Sequence, residues 1–445
     1  MSPTKKLAAG SGGSIVVDRC QICDSPDLNP VVFIGYLPPV NSMPPIGTRP
    51  AQQPAYPAQV LKCRRCSLVQ LGLIVDPAIL FPPEYPYTSG TTKILRENFA
   101  EMAQEVANLY PLTNKDLVVD IGSNDGTLLS NFIARPPADA APERIREGAD
   151  IPAPVTGPPV FGIEPTNAGK LAIERGIPTL ISFMNRSAVD HVIAKAGRAK
   201  IVTATNVFAH IEDIHAIVES LLALLTDDGV FISESHYWLS LIDTLQYDTI
   251  YHEHLRHYSL TSLQYLFKMH GMEVIHAKRI PTHGGSIRVY AARAGKYPVR
   301  PTVAPILEQE SRELTDEKLA AFKSRVVQSK LDLYALLRDI KSKGHRIYGI
   351  GAPSRASTLI NYVGLDDGIL DCVLEIKGSY KIGKYIPGTM IPVLEESRLF
   401  EDQPEYAMLL SWHIADELMP KLSARGFKGK YIIPLPTPRI AIAEK

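Results

Sequence analysis

Residues 249–259 read TIYHEHLRHYS, with three histidines, two tyrosines, a glutamate and an arginine in eleven residues. Imidazole has an ordinary pKa close to neutrality, so it can take a proton from a weak acid at working pH. Phenol O–H and imidazole N–H can hold a developing oxyanion, and losing one such preorganised donor costs about 3 kcal/mol. The segment therefore suits proton abstraction with the resulting charge held on oxygen. It does not suit a zincin-type metal: His252-Glu253 begins HExxH, but Arg256 fills the closing position and His257 comes one residue late. In extended chain His252 and His254 face one way and Tyr251 and Glu253 the other, whereas in a helix Tyr251 and His254 share a face. Either geometry leaves some of these groups in supporting roles, and His252 and His257 are expected to be those.

A second group of reactive residues is sulfur. Four of the five cysteines form the pairs Cys20-Gln-Ile-Cys23 and Cys63-Arg-Arg-Cys66. Two thiolates at that spacing can reach one tetrahedral ion at about 2.3 Å each, and two such turns complete a closed shell. One structural Zn2+ held by Cys20, Cys23, Cys63 and Cys66 is the expectation. Cys372 stands alone and reads as a small buried hydrophobe.

The elements that must position these groups follow. Residues 94–110 read as a helix. Then comes DLVVDIGSNDGTLLSNFI, a buried strand ending near Asp120, a Gly-rich turn and an apolar-periodic helix. This is the opening unit of a doubly wound α/β sheet. The pattern is D-x-G-x-x-x-G, not the dinucleotide GxGxxG. Acidic Asp120 at the strand tip would repel a pyrophosphate and attract a cationic ligand carrying an amino group and a sulfonium. The next strand, VFGIEP, ends in Glu164, which can accept from ribose hydroxyls. The third, AKIVTATNVFAHI, has its tip at Asn206, and LLTDDGVFISES supplies a fourth. This order resembles the class I S-adenosylmethionine methyltransferases, with Asp120, Gly122, Asn124, Gly126, Glu164 and Asn206 as the implied cofactor contacts. The Pro/Ala-rich stretch between the first helix and Glu164 reads as an inserted surface loop.

Near the other end, HRIYGIGAPSRASTLINYVG is a second strand–turn–helix, after a polar–apolar periodic stretch over residues 305–343 read as one or two helices. Gly349 and Gly351 begin a dinucleotide fingerprint that Ser354 breaks. The helix N-terminus at Ser354 can still hold phosphate, and Lys377, Lys381 and Lys384 follow among turn residues. In HGGSIRVY (His283 to Tyr290), Gly284 and Gly285 would let backbone amides approach a ligand and Arg288 would pair with phosphate; a tight hairpin turn is the equal alternative.

The order of the four-cysteine module, EYPYTSG, DIGSNDGTLL, NVFAHI, YHEH, HGGSIRVY and GIGAPSRASTLINY resembles the sugar C-methyltransferases that act on nucleotide-linked 4-keto-6-deoxy sugars. The resemblance implies an α/β architecture in three parts. A small N-terminal zinc-binding module (17–93) follows a disordered tail (1–16). A central class I Rossmann-like methyltransferase domain (94–300) and a C-terminal Rossmann-like nucleotide-sugar-binding domain (301–445) complete the chain. It implies His254 as the base, Tyr251 and Glu253 as enolate stabiliser and orienter, His210 near the sugar carbonyl, and Tyr87 as the tyrosine of the N-terminal element, with Tyr85 the alternative register. Substrate contacts are expected at His283, Gly285, Arg288, Ser354 and Lys384. The chemistry matches the residues: a carbon beside a ketone needs a base and an oxyanion clamp before it can take a methyl group, and the methylated carbon implied is C3.

Lys+Arg and Asp+Glu both number 47, which argues against a nucleic-acid partner and against the alternative of an RNA methyltransferase with a zinc module; O-methylation of a small metabolite is the other alternative. No apolar run approaches the 18 residues of a membrane span, and the first residues lack the apolar core of a signal peptide, so a cytoplasmic location is expected. Oligomeric state is left open, a monomer being compatible with everything above.

Overall fold

The computed structural model describes residues 13–80, 90, 92–133 and 157–442. Tyr85, Tyr87, the first twelve residues and most of the Pro/Ala-rich insertion lie outside the described residues. Ile15–Val16 (β1) pair antiparallel with Leu73–Ile74 (β5), which corrects their assignment to the tail: Ser14 and Val17 are buried against this edge, so the chain is anchored three residues earlier than composition suggested.

The N-terminal module is an antiparallel sheet of β2 (Leu28–Leu37), β3 (Tyr56–Cys63) and β4 (Val69–Leu71). Its fourth strand, β11, is Arg256–His257, contributed by the central part of the chain. The Pro-rich stretch between the cysteine pairs supplies little core of its own. Instead Val32, Ile34, Val60 and Leu71 join Phe322, Val326 and Leu333 of the long C-terminal helix in one apolar cluster.

The central sheet runs β12-β13-β10-β9-β6-β7-β8. Here β6 is Leu117–Ile121, β7 Val160–Glu164, β8 Thr179–Ile181, β9 Ala199–Thr205, β10 Leu225–His236, β12 Met272–Ile280 and β13 Ser286–Arg293. The five strands β6 to β10 pair in parallel, and β13 inserts antiparallel between β10 and β12. β6 is buried at every position, as a strand covered by helices on both faces must be. The strand order reverses between β6 and β9, the place where doubly wound sheets open a crevice for ligand.

Arg288, expected to meet phosphate, sits on β13 directly across from Glu234 of β10. It is fully buried. Its guanidinium donates to Glu234 (3.0 Å), Glu101 (2.7 Å), Glu105 (2.9 Å) and Asn98 (3.0 Å). These carboxylates come from the helix Lys93–Leu109 and the neighbouring strand. The phosphate assignment is therefore corrected: buried Arg288 is ringed by three carboxylates and Asn98 and clamps that helix to the sheet.

The C-terminal sheet is β16-β15-β14-β17-β18-β19, with β14 (Ile347–Ile350), β15 (Cys372–Glu375), β16 (Val393–Glu395), β17 (Tyr406–Leu409) and β18 (Lys430–Ile433) parallel and β19 (Arg439–Ala441) antiparallel. The periodic stretch before it resolves into two helices, Val303–Glu313 and Asp316–Lys341. Thr315 separates them as an N-cap whose side chain accepts from the Lys318 N–H. The N-terminal module docks on this unit through backbone: Tyr385 donates its N–H to the Pro44 carbonyl and Ile46 donates to Gly383, both at 2.8 Å.

Candidate active site

The four cysteines converge as the spacing predicted. Their sulfurs lie within 4.8 Å of one another, and among the described residues no other group of three or more His, Cys, Asp or Glu is close enough to share an ion. Cys20 Sγ and Cys66 Sγ are 3.4 Å apart, and Cys23 Sγ and Cys63 Sγ 3.5 Å. A tetrahedral zinc with 2.3 Å bonds needs sulfurs about 3.8 Å apart, so a slight opening admits the ion. The Ile22 and Cys23 N–H groups point at Cys20 Sγ, an arrangement that favours a thiolate. All four residues are buried, which suits a structural ion with no open position.

The cofactor crevice begins where β6 ends. Gly122 (φ 67°) and Gly126 (φ 77°) take left-handed backbone, and each is closely covered. A Cβ on Gly122 would stand 2.3 Å from Val207 Cγ2, and one on Gly126 2.5 Å from Ile177 Cδ1. Asn124 and Asn206 are also left-handed, at φ 51° and 56°. The Asn124 N–H donates to Glu164 Oε2 (3.0 Å), and Thr166 N–H and O–H donate to Oε1 (2.8 and 2.5 Å). Oε2 thus keeps one acceptor direction for a ribose hydroxyl. Asp120 is buried and accepts from the Thr203 hydroxyl at 2.6 Å. Burial, with Glu164 adding to it, pushes its carboxyl up to about 7, so a nearby cation would be welcome. Among the described residues, the Asn206 side-chain oxygen and the Ser123 hydroxyl are buried with no protein partner. A polar, cation-bearing ligand such as S-adenosylmethionine fits these groups: Glu164 for ribose, and Asp120 and Asn206 for charged and polar ends.

Beside this crevice, at the carboxyl ends of β9 and β10, four imidazoles gather. His210 follows the β9 tip, His236 ends β10, His254 lies in the loop before β11, and His283 lies in the β12–β13 turn at φ 55°. Ring centroids are 5.0 Å apart for His210–His254, 4.9 Å for His236–His254 and 5.4 Å for His236–His283. The Tyr251 ring lies 4.2 Å from that of His254. The Nδ1 of His254 is 2.7 Å from the Thr249 carbonyl. A carbonyl can only accept, so Nδ1 carries the proton and Nε2 is left with its lone pair. Burial first, then neighbouring imidazoles, holds the His254 pKa well below the ordinary value, while the Thr249 bond opposes this; the ring is neutral and basic at Nε2 near pH 7. Burial and the Glu253 carboxylate push the Tyr251 phenol well above its usual range, so it remains an O–H donor. His210 is lowered to about 4 by burial, against contacts with the Glu253 and Asn206 backbone.

All three parts of the chain reach this site. Asn41 of the N-terminal module donates to Glu253 Oε1 at 2.7 Å. Lys381, which faces Glu253 and Glu375, has its pKa lowered by burial against their pull and donates to the Ala352 carbonyl. Arg355, one residue into the helix Ser354–Val363, donates to Asp248 Oδ2 (2.8 Å) and Oδ1 (2.7 Å) and to Gln246 Oε1 (3.1 Å). The indole N–H of Trp412 donates to the same Asp248 at 2.8 Å. Gln246 in turn donates to the Gly284 carbonyl at 2.7 Å, pinning the turn that carries His283; a Cβ at Gly284 would overlap Gln246, and one at Gly285 Ser240.

The structure thus brings His254, Tyr251, Glu253, His210 and His283 together, with Ser354 close enough to influence the Tyr251 phenol. Lys384 stands off this cluster, its ammonium 4.6 Å over the Tyr380 ring. His252 is within reach of the Pro57 carbonyl (3.3 Å), and His257 lies against Trp238, both in supporting positions. Sequence reasoning missed His236, Arg355, Asp248 and Asn41. For His236 a signal existed: it terminates a parallel strand next to the switch point, the same topological place as Asp120 and Asn206.

Three family models match in succession: a zinc binding domain over residues 20–81, a methyltransferase domain over 94–277 and a C-methyltransferase C-terminal domain over 281–436. The chain is 31% identical to the C-methyltransferase NovU of Streptomyces niveus over 435 residues, covering 96% of this chain and 98% of the relative. Among solved structures, the magnesium protoporphyrin IX methyltransferase of Synechocystis with bound SAH aligns at 13% identity, 46% of this chain, 88% of that chain and TM-score 0.32. The plantazolicin methyltransferase BpumL with SAH aligns at 10%, 46%, 86% and 0.33. With a zinc-ready cysteine cluster, a cradle fit for S-adenosylmethionine and a full-length relative of this kind, the chain belongs to the C-methyltransferase family that includes NovU.

Proposed function

We propose that this protein methylates C3 of a nucleotide-linked 4-keto-6-deoxy sugar, the carbon beside the ketone. The observation that carries the reading is the His254 tautomer: with Nδ1–H held by the Thr249 carbonyl, Nε2 is a neutral base in a buried, donor-rich site. Nε2 takes the C3 proton. The Tyr251 phenol and His210 face the ketone oxygen and hold the enolate charge. Glu253, fixed by Asn41, orients this loop. When bound, S-adenosylmethionine supplies the electrophilic methyl that the substrate carbanion takes. We assign the diphosphate to the helix N-terminus at Ser354, with the Lys384 ammonium as a more distant countercharge, a role that buried Arg288 does not share. A residue spent only on O-methylation would need a base but no second oxyanion donor, whereas this site holds both.

The test is methylation of thymidine-, guanosine- and cytidine-diphospho-4-keto-6-deoxyglucose with methyl-labelled cofactor, followed by NMR location of the label. Label on C3 is expected, and His254→Asn should lower turnover by about 10²–10⁴-fold while cofactor affinity stays near normal. Label on oxygen, or full activity in His254→Asn, would end the reading.

A further inference from the structure

C-methylation by a sulfonium donor releases one net proton per turnover: the C–H bond breaks, the new C–C bond keeps its electron pair, and the donor leaves neutral. The proton first resides on His254 Nε2. It cannot leave through Nδ1, which already bears a hydrogen held by the Thr249 carbonyl at 2.7 Å. His254 is buried, and bound substrate would cover it further.

We propose that His236 and His283 form a relay that carries this proton from His254 to solvent, an inference that rests on the function proposed above. The ring separations set the scale. His215 and His270, elsewhere in the molecule, have centroids 5.0 Å apart and share an N···N hydrogen bond of 2.8 Å. His254–His236 at 4.9 Å and His236–His283 at 5.4 Å have comparable centroid separations at steeper ring angles, 59° and 63° against 37°, so a proton passes when the rings turn their nitrogens toward each other. His210 is equally near His254, but among the described ring contacts it leads to no further imidazole. His283 is the outward end: it is half-buried, and the next two residues, Gly284 and Gly285, line an open surface pocket of about 520 Å³. Asn206 Nδ2 lies 3.4 Å from His283 Nε2, and Gln246 fixes the turn, so the left-handed backbone at His283 is held by its surroundings. The charged and titratable groups facing His236 are His254, His283, Arg355 and His257. The Arg355 guanidinium opposes a charge on His236 even with Asp248 beside it, and no carboxylate among these groups would trap an imidazolium there. In sequence, C3–H gives its proton to His254 Nε2, the His254 imidazolium passes a proton to neutral His236, His236 passes one to His283, and His283 gives one to water.

The experiment uses the full-length, zinc-loaded protein with whichever of the three nucleotide-linked ketosugars turns over. In heavy water with S-adenosylhomocysteine in place of the donor, deuterium entry at C3 is followed by NMR. Methyl transfer is followed separately by rapid quench. His236→Gln should slow deuterium entry at least about tenfold and give a burst of one methyl per enzyme before a slow steady state. His283→Gln, one step further out, carries the same expectation and serves if His236→Gln folds poorly. The relay is overturned if the variants keep wild-type deuterium entry, or if entry and transfer fall in proportion with no burst, as a purely structural defect would give. Carbon methylation without deuterium entry in the wild type overturns the relay alone; methyl on oxygen overturns the underlying function.

Discussion

Asp248 has no exposed surface, and its carboxylate takes three hydrogen bonds, two from Arg355 and one from the Trp412 indole. Arg355 and Trp412 belong to the C-terminal unit, whereas Asp248 is carried by the central one. Replacing Asp248 by Asn keeps the shape but removes the countercharge of a guanidinium that is itself 6% exposed, and turns an amide N–H₂ toward its N–H groups. Removing one partner of a buried pair costs about 3–5 kcal/mol, against about 0–1 kcal/mol for a surface pair. The loss should appear as undocking of the C-terminal unit before global unfolding, because both sides retain their own sheets and a chain of this size need not unfold in one step. The chain has two tryptophans. In a Trp238→Phe background, Trp412 alone reports on this junction by fluorescence. With a slope of about 1–3 kcal/mol/M, Asp248→Asn should lower the urea midpoint of that signal by about 1 M or more. Asp248→Asn combined with Arg355→Met should recover part of the loss, because no unpaired charge then stays buried. A midpoint shift worth less than about 1 kcal/mol would refute the claim that this pair joins the two units.

Asp120→Ala should weaken S-adenosylmethionine binding about tenfold or more by calorimetry, and wild-type affinity should drop as pH falls below about 7, where the raised Asp120 carboxyl takes up a proton; affinity flat from pH 8 to 6 would contradict this. Metal analysis should find about one zinc per chain, and strong chelation should unfold the N-terminal sheet first, seen as early hydrogen exchange in residues 28–71; retained protection without metal would remove zinc's structural role. His252 and His257, both buried and lowered to about 4, are neutral in the fold, while the unfolded chain protonates them from about pH 6.5 downward. The unfolded state therefore binds more protons in this window, so stability is full above about pH 6.5 and falls toward pH 4, by up to about 3 kcal/mol for each group. Denaturant titrations at pH 7, 6 and 5 should show that descent, and constant stability would place these rings outside the buried, uncharged state.

What could be read from sequence was what local spacing encodes. Two C-x2-C turns declare their geometry within four residues each, and a strand–glycine–helix run declares its own. The YHEH loop was legible as chemistry because its groups are adjacent in the chain. Partnerships across long separations were not. Arg355 and Asp248 are 107 residues apart and Trp412 and Asp248 164 apart, and no periodicity links them. Arg288 shows the opposite failure. A basic residue after a glycine turn looks ready for phosphate, but alternation along β13 sends every second side chain to the other face, and there the carboxylates of the helix Lys93–Leu109 were waiting. Strand exchange between the parts was not legible either: Arg256–His257 leaves the central part to pair with β4.

That two-residue strand, Arg256–His257, has a practical bearing on anyone wishing to recombine such enzymes. It begins two residues after His254 and completes the sheet of the cysteine-bearing module at β4, while the Arg256 guanidinium reaches back to the Ile211 and Glu212 carbonyls beside His210. Grafting the first ninety residues from one relative onto the body of another would therefore leave a sheet edge matched to a foreign loop, two residues from the base. Chimeras should keep or exchange the 249–259 loop together with the module, since heredity of the one is bound to the other.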